Sequence, residues 1–187
     1  LMLTAAHNLL ANNAIIEELV VTATKRAESL NTVPVAIQAL SGENLSTQGI
    51  VDIADLKNIA TSVNLSRNLF GLKINIRGVS TTDVTVKGSP GIGFTIDGHP
   101  INRAMARGVS FFDVDRIEIL RGPQGTLYGS NTTGGMINVI TNQPDPSGFS
   151  AKAKFGVGNY GTYRFEGAVN VPLGDNFALR VATNVNS

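Results

Sequence analysis

Cysteine is absent from the 187 residues, which excludes disulfides, thiolate-bound zinc or iron–sulfur clusters, and cysteine nucleophiles. That absence does not fix the compartment, because an oxidising periplasm permits disulfides without requiring them. Only two histidines occur, His7 and His99, too far apart in sequence to suggest a histidine-rich metal site. Charge is also scarce: 16% of residues are Asp, Glu, Lys or Arg, against roughly 25% in average soluble domains. With 15 basic and 14 acidic residues the formal net charge is +1. So balanced a chain has no electrostatic footprint for nucleic acid or an anionic membrane surface. No apolar run approaches the ~18 residues of a membrane helix. Transmembrane β-strands stay open, since their signal is only ~10 alternating residues. In place of charge stand small polar residues: 20 glycines, 18 asparagines, 16 threonines and 12 serines. Such a chain is turn-rich and unlike a helical bundle.

The run LMLTAAHNLLANNA over residues 1–14 has no basic leader and is broken by His7, Asn8, Asn12 and Asn13. It reads as the stub of a signal peptide's apolar core, a linker, or the tail of an upstream domain. Residues 16–25 (IEELVVTATK) are β-prone through Val20, Val21 and Thr22. With few apolar residues beside an Asn-rich segment, 16–23 is expected to be extended or disordered, with little burial. Residues 33–40 read as a strand whose Pro34 confines its start to an edge or an end. Ser41 suits the N-cap of a short helix through Leu45, closed near Gly49. Ile53, Leu56, Ile59 and Ala60 fall at helical spacing, with Asp52 early and Lys57 late as the helix dipole favours. Strand-like runs follow at 72–79, at 94–101 with a turn at Asp97-Gly98, and at 134–141. Residues 113–120 are ambiguous between a helical turn and a strand over 116–120. Pro144, Pro146 and Gly148 mark a boundary.

Beyond that boundary the texture changes. Residues 149–157 alternate strictly, with Phe149, Ala151, Ala153, Phe155 and Val157 against Ser150, Lys152, Lys154 and Gly156. Residues 163–171 and 177–185 repeat the pattern, and the connections at 158–162 and 172–176 are short. Three amphipathic strands in an up-and-down meander follow from the period alone. The apolar face suits either the core of a soluble sandwich or the lipid side of an outer-membrane barrel. Periodicity does not choose between them.

Enzymatic constellations are weak. Asp113, Asp115 and Glu118 are close in sequence, but carboxylates on a surface turn are ordinarily solvated, and no histidine base lies near the abundant hydroxyls. Glycines at 122, 125, 129, 134 and 135 serve turns or close packing, and no P-loop or dinucleotide fingerprint is present. No catalytic residue, metal ligand or cofactor is expected.

The most distinctive stretch is 113–144, DVDRIEILRGPQGTLYGSNTTGGMINVITNQP. It closely resembles the plug domain of TonB-dependent outer-membrane receptors, in which an Arg-Gly-Pro turn, a Gly-rich segment and a Gly-Gly-Ile-Asn-like strand recur in this order. The resemblance reaches Ile76-Arg77-Gly78-Val79, Ile96-Asp97-Gly98-His99-Pro100, and EELVVTATK at 17–25, which looks like a TonB box and the run after it. It implies an α+β plug, a small mixed sheet with short helices, followed by an antiparallel β meander from the start of a transmembrane β-barrel. Residues 1–15 would be an N-terminal segment or signal-peptide remnant, 16–32 the TonB box and linker, 33–145 the plug, and 146–187 the first three barrel strands.

The implied partners are TonB, outer-membrane lipid, the missing barrel strands and an unknown small solute such as a ferric siderophore; nucleic acid is not among them. Glu17, Glu18, Leu19, Val20, Val21, Thr22 and Ala23 would bind TonB by adding a strand to its exposed sheet edge. Arg77 and Arg121 would face the barrel wall and pair with its glutamates. Outward loops carrying Arg67, Asn68, Phe70, Thr81, Thr82, Asp83 and Lys87 would meet the solute. Phe155, Val169 and Val181 would face lipid, and Lys152, Lys154, Arg164, Glu166 and Arg180 the lumen. On that assignment Val169→Arg should hurt assembly while Asn170→Arg should not. Three strands fall far short of the ~22 of such receptors, so the chain is expected to be an N-terminal fragment of a transporter. The rival expectation is a soluble or self-associating β-rich binding protein derived from a plug, whose open edges are covered by copies of itself.

Overall fold

The computed structural model describes residues 20–22, 28–29, 35–50, 52–60, 62–69, 71–80, 90–102 and 112–186. The segment 1–15 lies outside them. In chain order the elements begin with β1 (Val20–Val21), β2 (Glu28–Ser29), β3 (Ile37–Ser41) and α1 (Gly42–Thr47). A 3₁₀ turn (Ile53–Asn58) leads to β4 (Val63–Asn68), β5 (Gly71–Ile76), β6 (Val79–Ser80), β7 (Ile92–Ile96) and β8 (His99–Pro100). The longest strands come last: β9 (Val114–Arg121), then α2 (Gly125–Tyr128), β10 (Gly135–Thr141), β11 (Ser150–Val157), β12 (Tyr163–Gly174) and β13 (Phe177–Asn186).

A five-stranded mixed sheet in the order β3-β9-β10-β7-β8 forms the first unit. Only β10 and β7 run parallel, with Ile137 opposite Phe94; β9 is antiparallel to both β10 and β3. The ambiguous 113–120 is therefore a strand. Ile117, Ile119, Leu120, Met136 and Ile137 are all fully buried, the continuous apolar reading of strands covered on both faces. As Pro34 suggests, β3 lies at the sheet's edge. A smaller sheet, β4-β5-β6, packs Leu65, Leu72, Ile74 and Ile76 into the same core as Ile53, Leu56, Ile92, Phe94 and Ile117. Two-residue turns at Arg77-Gly78 and Asp97-Gly98 have positive φ at both positions, the backbone that matches strand twist in tight hairpins.

Helix α1 starts where the sequence places it. The Ser41 hydroxyl accepts from the Asn44 N–H, and Gly49 takes φ +67° just beyond the end. Gly42 lies so close to β9 that a Cβ there would run into the Val114 carbonyl oxygen. The helical spacing over 51–60 is realised as a 3₁₀ turn rather than an α-helix. Asp52 accepts from Ala54 N–H while Asp55 accepts from Asp52 N–H, and this reciprocal cap closes so short a segment into a tighter turn.

Two sequence expectations need correction here. The outward loop expected at 67–71 is instead the end of β4 and the start of β5, with Asn68 opposite Gly71. The run VNLSRN alternates as clearly as β5 does. Val21, expected to gain little burial, has no exposed surface.

The meander β11-β12-β13 is a separate three-stranded sheet. Phe155 faces Phe165 and Val169 faces Val181, so the apolar residues share one side. Lys154 and Glu166, and Asn170 and Arg180, pair across the other. The apolar side is bare: Phe155 is 72% and Val181 58% exposed. A register shift between Pro172 and Gly174 interrupts the pairing at the end of β12, just before the turn into β13.

Candidate functional site

Two groups of contacts tie the units of the molecule together. The first centres on Glu118, which has no exposed surface. Its Oε1 accepts from the Thr22 N–H at 2.7 Å and from Arg116 Nε at 2.9 Å, with Thr22 Oγ1 at 3.3 Å. Oε2 accepts from Asn138 Nδ2 at 3.2 Å. Asn138 is in turn fixed by Thr95, whose hydroxyl donates to Asn138 Oδ1 at 2.6 Å. Burial of this carboxylate is tolerable because four donors surround it, one from an arginine. Its negative charge also reaches Tyr128, whose phenol is pushed up to about 12, first by burial and then by Glu118.

The second group joins the first unit to the meander. Arg180 on β13 grips both carboxylate oxygens of Asp113, with Nε to Oδ2 at 2.7 Å. Both side chains are largely shielded, at 11% and 12% exposure. Asp113 sits at φ +51° and takes a further hydrogen bond from Asn142 Nδ2 at 3.0 Å. Asn170, fully buried, accepts from the Asp145 N–H and donates to the carbonyls of Asp145 and Gly148. Lys154 donates to Ser46 Oγ on α1 at 2.7 Å. Between α1 and the polar side of the meander lies an open cleft of about 820 Å³, bordered by Glu43, Asp115, Lys152, Arg164 and Glu166. Among the described residues no cluster of three or more metal-ligating side chains is present.

Asp113 and Glu118 are therefore not the solvated carboxylates expected from their spacing. Strand geometry carries Glu118 inward, and Asp113, at the bend just before β9, is shielded by Arg180 and Asn142. A charge inside RIEIL and an amide inside GMINVIT were the available signals, since a polar residue within a fully apolar strand must find a partner. Asn170, expected to tolerate arginine, is a buried clamp and will not.

A family model described as the TonB-dependent Receptor Plug Domain matches residues 29–136. The chain belongs to that family. It is 35% identical over 167 residues to the pesticin receptor of Yersinia pestis, covering 84% of this chain and 23% of the relative. Identity to the iron-regulated outer membrane virulence protein of Vibrio cholerae is 30% over 140 residues, covering 67% of this chain and 20% of the relative. The crystal structure of the ferric yersiniabactin uptake receptor FyuA from Yersinia pestis superposes with a TM-score of 0.67. That match is 28% identical and covers 79% of this chain and 24% of the other. The chain thus spans about a quarter of the length of these relatives. The expected fold, a plug with a mixed sheet and short helices followed by antiparallel strands, is the fold observed. The family is one of transport receptors, and its compartment is the cell outer membrane.

Of the seven residues assigned to TonB, Val20, Val21 and Thr22 are described; Glu17, Glu18, Leu19 and Ala23 lie outside the described residues. In this plug Val20–Val21 pairs with Glu28–Ser29. Arg77 is exposed on its turn, whereas Arg121 is half-buried and donates to Gln38. Among the described residues neither arginine forms an ion pair with a carboxylate. The plug–meander ion pair that is seen has the opposite polarity, an aspartate on the plug and an arginine on the strand. Of the solute-facing calls, Arg67 bonds to Asp52 at 2.8 Å, and Phe70, Thr81, Thr82, Asp83 and Lys87 lie outside the described residues.

Proposed function

We propose that the chain is the N-terminal part of a TonB-energised outer-membrane receptor that takes up a scarce solute such as a ferric siderophore. Its plug gates a barrel whose first three strands are β11 to β13, with the plug at 33–145 and the wall from 146 onward. The observation that carries this reading is the polarity of the meander. Its polar side meets the plug through Arg180, Asn170 and Lys154, while on its apolar side Phe155, Val169 and Val181 are exposed among the described residues. A soluble sandwich would bury the apolar side; a barrel turns it to lipid. Strand length supports the same reading. Twelve residues in β12, tilted ~40°, rise roughly 30 Å, enough to cross an apolar band ~25 Å tall. Tyr160 at one end and Phe149 and Phe177 at the other are exposed aromatics where interfacial girdles belong.

Residues 17–23 engage TonB by strand addition. Arg77 and Arg121 face further wall strands, and the β4–β5 hairpin end at 67–71 and the segment 81–91 face the solute. The test is single-cysteine labelling of the intact receptor in vesicles with a lipid-soluble quencher. Positions 155 and 181 should be quenched and position 152 spared. If none is quenched, the apolar side is packed on protein and the barrel reading fails.

A further inference from the structure

We propose that the first wall strands seat on the plug before the barrel closes, so that the ring is completed around a plug already in place. The proposal rests on the reading of β11 to β13 as barrel wall and adds the order in which wall meets plug. The residues that do the seating are all present by the end of β13. Arg180 grips Asp113, and both side chains are shielded, at 11% and 12% exposure. Asn170 is fully buried against Asp145 and Gly148, in the link from β10 to β11. Three strands therefore suffice to take these polar groups out of water and to pair them. A joint that still needed later strands would leave its charges wet or its amide unpaired.

The plug side of the joint is set by the plug's own sheet. Asn142 donates to Asp113 twice, from its main-chain N–H to the carbonyl oxygen at 2.9 Å and from Nδ2 to Oδ1 at 3.0 Å. Thr141 donates to the Asp97 carboxylate through both its N–H and its hydroxyl, each at 2.8 Å. The ends of β7 and β10 and the start of β9 are thereby tied together, with Asp113 held at φ +51° by plug residues alone. An acceptor fixed in advance loses little entropy when Arg180 meets it. Separation along the chain favours the same order. Asn170 is 25 residues from Asp145, and Arg180 is 67 from Asp113. Ring closure must join β11 to a final strand, and the chain spans only 23% of its Yersinia pestis relative. Loop-closure cost rises with separation, and local contacts form ahead of distant ones.

The measurement is refolding from urea into detergent micelles of the intact receptor, otherwise free of cysteine and carrying Ser46→Cys and Lys154→Cys. Ser46 and Lys154 meet where α1 touches the meander, so they report seating without belonging to the Arg180 and Asn170 contacts. Timed pulses of a short bis-maleimide read seating, and SDS-resistant migration reads ring closure. The crosslink should form with a half-time at least about threefold shorter than closure, since the cost of closing a loop follows its length. Arg180→Met combined with Asn170→Ala should slow the crosslink about tenfold or more, the scale of losing a hydrogen bond to a charged group. Closed barrels of that double variant should leave the plug open to protease. A crosslink that appears with or after SDS resistance overturns the order, and so does an unslowed crosslink in the double variant. Should the double variant fail to close, the timing in the parent receptor decides alone. Quenching of a label at position 155, in a separate refolded sample, distinguishes the two claims. A closed, quenched barrel that crosslinks last keeps the wall reading and removes the proposal; no SDS-resistant form and no quenching remove both.

Discussion

Strands β5 and β12 carry the same two-residue alternation and use it in opposite senses. In β5, Leu72, Ile74 and Ile76 are buried and Lys73 and Asn75 look outward. In β12, Phe165 and Val169 are each 39% exposed, while Asn170 on the other side is fully buried. The plug is apolar inside, and the meander is polar inside. A period of two identifies which residues share a face. It does not say which face is wet.

The sharpest way to break this comparison is to truncate one apolar side chain in each unit. Ile137→Ala, in the sealed plug core, should cost about 3–4 kcal/mol. Val181→Ala, on the bare side of the meander, should cost under ~1 kcal/mol. Urea unfolding followed by a plug reporter and a meander reporter measures both; equal losses would mean that the meander has a hidden protein core. Next in size is a cation on the proposed lipid side. Val169→Arg should lose roughly 2–4 kcal/mol near mid-bilayer, whereas Asn186→Lys on the polar side should stay within ~0.5 kcal/mol. Protease resistance of receptor assembled in vesicles reads the difference, and equal tolerance would end the contrast between the faces.

A smaller effect tests the joint between the units. Asn170→Ala removes three hydrogen bonds to Asp145 and Gly148, a loss of about 1–3 kcal/mol if those backbone groups stay dry. It should show as faster proteolysis at 143–148. Wild-type cleavage rates would return Asn170 to the tolerant role that its sequence context suggested.

That context explains what the sequence could and could not convey. The α1 cap at Ser41, the turn at 97–98, the edge strand β3 and the three meander strands are local, and local pattern carried them; the run expected at 72–79 is instead broken by the turn at 77–78. The 3₁₀ turn at 53–58 differed because the Asp52–Asp55 cap outweighs helical spacing in so short a segment. The site was less legible. Arg180 is 67 residues from Asp113, and Thr22 is 96 from Glu118, so nothing in their neighbourhoods announces the pairing. Family resemblance placed the plug and suggested plug arginines against wall acids; the Asp113–Arg180 pair is a separate contact that it did not suggest.

The smallest expected effect concerns alkaline pH. The Tyr128 phenol, raised from 10.0 to about 12 by burial and then by Glu118, stays protonated in the folded plug where an unfolded chain would lose its proton. The folded state therefore binds more protons between about pH 10 and 12, and stability contributed by this group falls as pH rises through that window. Tyr128→Phe should flatten that part of the pH–stability curve slightly and remove the latest phase of phenolate absorbance. No change in that phase would place Tyr128 in a wetter setting, closer to that of the meander's exposed tyrosines.

Gly42 gives the contact between plug and strands its spacing. Because position 42 has no side chain, α1 seats its first turn directly on the Val114 carbonyl, one residue from Asp113. The same helix presents Ser46 to Lys154. A single methyl group at position 42 would act as a shim, lifting the helix from β9 and tilting Ser46 away from Lys154 while Asp113 stays gripped by Arg180. The meander would then lose its contact with α1 and keep those of Arg180 and Asn170. The tolerance that fits one unit into the other is therefore set by the smallest side chain in the helix.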